Sequence, residues 1–215
     1  GKFDNNAYKT SGGLHGVGSS VVNALSVYMD VKVKREGYIH HDRYERGNPT
    51  VQLENGLLPK IAKTKKTGTK INFLPDPEIF DRTDFKEEDV KSRMHETAYL
   101  NPALTIIYED RRKDEVEHIV YHEPDGIIGF VKDLNKNIET LHDVIYFKGE
   151  AEGITVEAAI QYTNEFHENI LGFCNNIYNA EGGTHITGFK TVFTTVINTY
   201  ARELGILKDK GIKIY

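Results

Sequence analysis

The sequence of 215 residues carries a net charge of −5, with 39% hydrophobic and 27% charged residues, which predicts one large or two small soluble domains. This composition excludes a disordered or fibrous chain, and no run approaches the roughly 18 apolar residues that a membrane-spanning helix needs. The single cysteine, Cys174, excludes an internal disulfide and argues against a cysteine-based zinc site, so a reducing, cytoplasmic location is expected. Because the sequence begins at Gly1 and not at methionine, we expect a fragment of a longer protein.

The first part of the sequence predicts a short helix, a β-hairpin and a third strand. A glycine-rich turn over residues 12–18 leads into a short buried helix over 19–26, with serines in its first turn. Alternation with period two predicts the hairpin across a turn at Glu36 and Gly37, and Pro75 ends the strand that follows. The three predicted strands cover residues 30–35, 38–44 and 67–74.

The second part predicts further helices and strands on both sides of a break at residues 123–126. Apolar residues at near-helical spacing predict helices, and short apolar runs predict strands. We place a domain boundary at the break, which divides the chain into residues 1–124 and 125–215. The predicted helices cover 85–100, 127–134 and 183–207, the predicted strands cover 103–108, 115–121, 144–148 and 154–162, and a further apolar run covers 170–177.

The glycine-rich turn is the strongest candidate site. Glycines at 12, 13, 16 and 18 let the backbone approach a ligand closely, and the helix that follows begins with unpaired N–H groups at the positive end of its dipole. These features together indicate an anion site, suited to a phosphate chain. The spacing G-x-x-G-x-G matches neither the dinucleotide pattern nor the P-loop, so a turn that only reverses the chain remains the alternative.

Charged and aromatic residues near the turn extend this candidate site. Lys2 and Lys9 could neutralise phosphate charge, and Tyr8 could contact a base or a sugar. Each of the three has an ordinary surface position as its alternative.

The strand over 67–74 supplies a candidate floor for a base. Thr69, Ile71 and Phe73 point to one face, where a hydroxyl beside apolar side chains suits adenine, although simple sheet core explains the same pattern. Arg35 ends a row of inward-facing residues. It is either a cation at the mouth of a pocket or a side chain whose stem packs while its head reaches water.

The charge is distributed unevenly along the chain. Residues 1–75 carry 12 lysines and arginines against 6 acidic residues, whereas residues 76–215 carry 15 against 26. A basic first third can attract a polyanion such as a nucleotide or a nucleic acid, although solvated surface charge explains the asymmetry equally well. The acidic remainder argues against tight DNA binding by that part of the chain.

Several strings resemble the ATPase subunit of bacterial type II DNA topoisomerases, and the resemblance covers essentially the whole chain. Near the start they are G-K-F-D and Y-K-T-S-G-G-L-H-G-V-G-S-S-V-V-N-A-L-S, at 1–4 and 8–26. K-T-G-T and F-L-P-D, within 66–76, resemble the family's adenine-side strand. N-N-I, G-G-T-H and G-F-K, within 175–190, resemble its second, transducer domain.

The resemblance implies an α+β fold. A partial GHKL-type ATPase sandwich, with a mixed sheet covered by helices, would be followed by a partial transducer domain of the ribosomal-protein-S5 type. The implied cofactors are ATP and Mg²⁺. The implied partners are a DNA duplex, the A subunit and a second copy of the same subunit, with no membrane. Residues 75–80 and 181–185 favour the gyrase branch of the family, whereas residues 10–11 and 19–20 are closer to the topoisomerase IV branch.

The resemblance also assigns residues to an ATP site. The expected ATP-binding residues are Lys2, Tyr8, Lys9, Gly13, Leu14, His15, Gly16, Val17, Gly18, Ser20 and Thr69, with Arg35 and Ile71 at the pocket mouth. The family's catalytic glutamate, magnesium-binding asparagine and adenine-reading aspartate match positions before Gly1, and its Gln-Thr-Lys loop matches positions after Tyr215. The resemblance therefore implies no catalytic residue within this chain and no detectable ATPase activity for the chain alone.

Three functional hypotheses follow. In the favoured one, ATP binding closes two subunits into a clamp around a DNA duplex and hydrolysis resets the clamp. In the second, the chain is a non-catalytic structural and coupling module. The third is a related ATPase of mismatch repair or of a chaperone, against which the G-G-T-H string argues.

Overall fold

The structure, a computed structural model, describes residues 16–208 and forms two compact units over residues 16–87 and 88–208 of that range. The first unit contains a seven-residue helix and five strands. They are α1 (Gly18–Ala24), β1 (Ser26–Arg35), β2 (Tyr38–Glu45), β3 (Asn48–Pro49), β4 (Lys60–Lys63) and β5 (Gly68–Pro75). The predicted hairpin and the strand at 67–74 are therefore confirmed, and β3 and β4 are additions that the polar stretch between these strands conceals.

The five strands form one antiparallel sheet with β1 between β2 and β5. In its register Val31 of β1 lies opposite Asp42 of β2 and Ile71 of β5. Strand β2 continues the sheet outward through β3 and β4, which pair with different parts of it. Because side chains alternate along a strand, this register decides which residues share each face.

The two faces of the sheet differ in chemistry. What we call the apolar face carries alternate residues of β1 and β5, namely Met29, Val31, Val33, Thr69, Ile71 and Phe73. The opposite face, called the basic face, carries the residues between them and their partners on β2, chiefly Asp30, Lys32, Lys34, His41, Arg43, Glu45 and Lys70. A ligand or a covering element can therefore approach the sheet from two chemically distinct sides.

Helix α1 is exposed, so the prediction of a buried helix is wrong. None of its residues is buried, and the side chain of Val21 is 46% exposed. Among the strands of the described chain, α1 packs extensively only on β1. Its other sides are therefore uncovered. The helix also ends earlier than expected. Ser26 begins β1 and donates a hydrogen bond from its Oγ to the carbonyl of Val22 at 2.6 Å.

A buried carboxylate fixes the end of β5 to the rest of the unit. Asp76 is buried, and its Oδ2 lies 2.8 Å from Nε of Arg46 in the turn after β2. Its Oδ1 accepts a hydrogen bond from the backbone N–H of Glu78, and its own N–H donates to the carbonyl of Leu25 at the end of α1. Asp76 thus joins three segments: its side chain connects the turn after β2 to the residues that follow β5, and its backbone N–H holds the end of α1 beside the sheet.

The second unit consists largely of hairpins and helices. Its elements agree with the predicted ones to within a few residues, except that the apolar run at 170–177 forms a short hairpin. The elements are α2 (Glu87–Leu100), β6 (Ile106–Asp110), β7 (Glu117–Tyr121), α3 (Gly126–Leu134), β8 (Ile145–Ala151), β9 (Ile154–Ile160), β10 (Phe173–Cys174), β11 (Ile177–Tyr178) and α4 (Thr184–Glu203).

Stacked rings form the interior of this unit. The ring of Tyr99 on α2 stacks on His95 at a centroid distance of 4.5 Å and on Phe130 of α3 at 5.0 Å. His95 also stacks on Tyr121 of β7 at 4.8 Å, and its Nε2 lies 2.8 Å from Glu123. These contacts join elements on both sides of residues 124/125, where the domain boundary stays a prediction.

Because Tyr99 is buried, this unit is expected to lose stability as the pH becomes alkaline. Burial of its hydroxyl raises the pKa of Tyr99 from 10.0 to about 12. Because the folded pKa lies above the unfolded one, the stabilisation is complete below pH 10 and is lost as the pH rises from 10 to about 12. We expect the free energy of unfolding to fall by about 2–3 kcal/mol over that interval.

Denaturant unfolding at a series of alkaline pH values, followed by circular dichroism, measures this loss. Tyr99→Phe is the control, because it keeps the ring and removes the titrating group. Between the two pH limits, the free energy of unfolding of the variant is expected to fall by about 2 kcal/mol less than that of the original chain. An equal loss in both proteins would assign the alkaline effect to other tyrosines.

Candidate nucleotide-binding site

The turn before α1 has the backbone conformation of an open helix start. Gly16 adopts φ +65°, a left-handed conformation that glycine enters without steric cost. Val17 is the N-cap and provides no side-chain hydrogen bond to the helix, although its carbonyl accepts from Val21 N–H at 2.9 Å. Within residues 16–208 no side chain caps the first N–H groups of α1, those of Gly18 and its neighbours up to Ser20, so they can donate to an external acceptor.

Packing within the chain does not explain the glycine at position 18. A Cβ atom built on Gly18 meets no atom of the described chain within 4 Å, and the φ angle of Gly18 lies outside the left-handed region. Any other residue would fit there as far as the described residues are concerned. A close approach between the backbone and a ligand remains a physical reason for glycine at this position.

The apolar face presents the predicted floor residues in one row. Thr69 lies opposite Val33, and Ile71 lies opposite Val31. The hydroxyl of Thr69 is therefore adjacent to apolar side chains of both β1 and β5. Ile71 is 52% exposed, and the ring of Phe73 forms a T-shaped pair with the Phe85 ring at a centroid distance of 6.1 Å. Among the described residues this part of the face is uncovered, unlike the interior of a sheet, and it can contact a flat apolar group.

Arg35 lies at the end of the same row, and its head group reaches solvent. Its side chain is 76% exposed, and its Nε lies 3.2 Å from Oε1 of the adjacent Glu36. By register Arg35 is one step beyond Val33, which faces Thr69. The guanidinium is therefore an exposed surface cation at the edge of the apolar face. Its predicted place at a pocket mouth stays a prediction.

Six of the predicted ATP-binding residues lie outside the described part of the chain, and their roles stay predictions. They are Lys2, Tyr8, Lys9, Gly13, Leu14 and His15.

The described residues do not provide a magnesium site. Within residues 16–208 no three histidine, cysteine, aspartate or glutamate side chains are placed to hold a metal ion. The Mg²⁺ that the resemblance implies therefore does not fit a site in this part of the chain. Nor does any helix in the same range combine the length and apolarity needed to cross a membrane.

Comparison with solved structures defines the class of protein. The crystal structure of the 43K ATPase domain of Thermus thermophilus gyrase B in complex with an aminocoumarin matches with a TM-score of 0.75 and 34% identity, over 92% of this chain and 53% of that one. The topoisomerase IV ATP-binding domain of Francisella tularensis in complex with a small-molecule inhibitor matches with a TM-score of 0.71 and 28% identity, over 95% of this chain and 55% of that one. The expected α+β fold of the GHKL-type ATPases is confirmed.

Sequence relatives agree with this class. The DNA topoisomerase 4 B subunit of Streptococcus pneumoniae is 47% identical over 98% of this chain, and the DNA gyrase B subunit of the same organism is 47% identical over 97%. A family model described as DNA gyrase B matches residues 126–215. The chain is similar over nearly its whole length to gyrase B and topoisomerase IV B subunits, as the resemblance predicted.

The chain spans about a third of the length of these relatives, 32% in both cases. Its identity to the two subunits is the same, so the preference for the gyrase branch stays a prediction.

Proposed function

We propose that the chain is the part of an ATP-driven type II DNA topoisomerase subunit that contains the end of the ATP lid, the adenine-side strand and the beginning of the transducer domain. The observation that carries this proposal is the match to the Thermus thermophilus gyrase B ATPase domain, at 34% identity and a TM-score of 0.75 over nearly the whole chain. The 47% identity to topoisomerase subunits supports it.

In this proposal the start of α1 and the apolar face bind different parts of ATP. The N–H groups at the start of α1, which no side chain in the described part of the chain caps, hold phosphate oxygens, because donors at a helix start favour negative charge. Thr69 and Ile71 contact the base, one through its hydroxyl and the other through apolar surface. When bound, ATP supplies a phosphoryl group whose transfer to water is strongly favourable. The described residues bind and orient the nucleotide. The six predicted residues outside the described part complete the nucleotide site.

For the complete protein, the proposal includes the partners of a DNA-passing enzyme. Two copies of the subunit close around a DNA duplex when ATP binds, together with the A subunit, in the cytoplasm. DNA supercoiling by a gyrase is the favoured activity, and decatenation by a topoisomerase IV is the alternative. A purely structural coupling module remains the second candidate, since the described residues contain no metal-binding cluster of their own.

Adjacent residues on β5 allow a matched test of the base contact. Ile71 lies on the apolar face and Asn72 on the basic face, and both side chains are exposed. In the complete subunit, Ile71→Glu places a carboxylate against the proposed base site and is expected to weaken binding of a fluorescent ATP analogue by about 10-fold or more, because an unpaired charge is desolvated. Titration followed by fluorescence anisotropy measures the change.

Asn72→Glu is the control. It adds the same charge one residue away on the opposite face, and the affinity is expected to stay within about twofold, since exposed charges interact weakly. Equal affinities for both variants and the original subunit would exclude the apolar face from the nucleotide site and favour the coupling module.

A further inference from the structure

Three lysines lie together on the basic face, on the side of the sheet opposite the proposed base site. In the register of β1 with β5, Lys32 is directly opposite Lys70, and Lys34 lies two residues further along β1 on the same face. Like charges directly opposite each other destabilise a sheet. The opposition of Lys32 and Lys70 is therefore expected to cost stability in the sheet.

The acidic groups of this face are already paired with other cations. The carboxylate of Asp30 accepts a hydrogen bond from Nε2 of His41 at 2.7 Å and lies 3.8 Å from the Arg43 guanidinium. This hydrogen bond from His41 is the main reason why the pKa of Asp30 is lowered, so the carboxylate stays ionised. Glu45 pairs with Nε of Arg43 at 3.4 Å, and the same guanidinium lies over the Tyr28 ring.

The three lysines have no such partners. Over residues 16–208, no carboxylate lies within ion-pair distance of the ammonium groups of Lys32, Lys34 or Lys70. Lys70 is exposed, whereas the other two are half-buried, as expected for stems that pack on the sheet while their heads reach water. The face thus presents three cations without an ion pair among the described residues, and the nearby carboxylate of Asp30, which interacts with the charge of Lys32, is already hydrogen-bonded to His41.

We propose that the basic face binds the phosphate backbone of a nucleic-acid duplex, an inference that rests on the proposed function and adds a surface to it. A step of two residues along a strand covers about 6.7 Å. Adjacent phosphates of one DNA strand lie about 7 Å apart, because the axial rise of about 3.4 Å is combined with the rotation around the helix axis, so Lys32 and Lys34 can contact neighbouring phosphates of one strand. Flexible ammonium groups suit such sequence-independent contacts.

The charge distribution along the chain favours the part that contains this face as the one that binds a polyanion. Residues 1–75 carry 12 lysines and arginines against 6 acidic residues, whereas residues 76–215 carry 15 against 26 and repel phosphates. The proposed nucleotide contacts of Thr69 and Ile71 lie on the other face of the same sheet. Duplex and ATP therefore bind without competing for the same side chains.

The test uses the complete subunit and a fluorescent duplex of about 25 base pairs, with anisotropy titrations at several salt concentrations. Substituting all three lysines by glutamine is expected to reduce the slope of log K against log salt by about 2–3, and to weaken binding about 10-fold or more at low salt. Lys70→Gln alone, on an exposed residue that tolerates change, is expected to reduce the slope by about 1.

A triple substitution at Lys60, Lys63 and Lys65 is the control, because it removes equal charge from the same unit away from the basic face. It is expected to reduce the slope by less than about 1, since it removes no phosphate contact. An unchanged slope in the basic-face variants, or an equal decrease in the control, overturns the proposal and leaves an acidic protein surface as the occupant.

The same preparations are titrated with the fluorescent ATP analogue, which separates this proposal from the proposed function. Nucleotide affinity is expected to stay within about twofold in the basic-face variants, which also shows that they are folded. If the original subunit fails to bind the analogue, the proposed function is wrong, whereas the salt slopes still decide whether the basic face binds DNA.

Discussion

Gly18→Val is expected to lower the affinity of the complete subunit for an ATP analogue by about 100-fold or more. Hydrogen bonds to a charged group contribute about 1.5–3 kcal/mol each, so the loss of two corresponds to that decrease. A branched side chain would stand beside the N–H groups at the start of α1, where the phosphates are proposed to bind. Because a Cβ at this position meets no atom of the described chain and φ is not left-handed, the fold is expected to tolerate the change.

Two further glycine variants isolate the cause. Gly149 on β8 also has open space around it and no left-handed φ, and valine suits a strand, so Gly149→Val is expected to leave the affinity within about twofold. Gly18→Ala is expected to stabilise α1 by up to about 1 kcal/mol while it still weakens nucleotide binding. Isothermal titration and thermal unfolding measure both quantities. Unchanged affinity in the Gly18 variants would show that the glycine-rich turn only reverses the chain.

Tyr99→Ala is expected to lower the free energy of unfolding by about 3–5 kcal/mol, as do other deletions of a buried aromatic ring. Its side chain is only 6% exposed, and removing it separates His95 from Phe130, between which it stacks. The surrounding rings belong to different elements, so they cannot close the cavity without moving α2 against α3. Urea unfolding of the chain followed by circular dichroism measures the loss.

Tyr200→Ala provides the comparison on an exposed tyrosine. Tyr200 on α4 is 61% exposed, and its removal is expected to change the free energy of unfolding by no more than about 0.5 kcal/mol. Similar losses for the two variants would mean that the stack around Tyr99 does not hold the unit together. A large loss for Tyr99 alone supports a rigid connection between α2 and α3.

This connection is relevant to the proposed function because it crosses the predicted domain boundary. Tyr99 precedes residues 124/125 and Phe130 follows them, yet their rings stack within one compact unit. If the boundary separates an ATPase part from a transducer part, their coupling would pass through packed aromatic side chains. A rigid contact of this kind transmits displacement more directly than a flexible linker.

Local patterns in the sequence were sufficient to predict most of the secondary structure, and short strings in it were sufficient to detect the resemblance to topoisomerase subunits. Alternation over residues 30–44 with an intervening Glu36-Gly37 turn identifies a hairpin because adjacent strands need only a short turn to pair. Strand β4 escaped prediction, since four residues with lysine at both ends show no clear alternation and the strand forms only by pairing with β2. A signal for the buried Asp76 was present in the P-D-P string, where an aspartate follows the last strand residue.

The sequence alone determines which side chains share a face within one strand. Alternation places Lys32 and Lys34 on one side of β1 and Val31 and Val33 on the other, whatever the strand pairs with. Only the tertiary structure decides that Lys70, distant along the chain, lies opposite Lys32, and that α1 is exposed. The reason is that register and burial depend on contacts between remote segments, whose energies are properties of the assembled sheet and not of any local stretch.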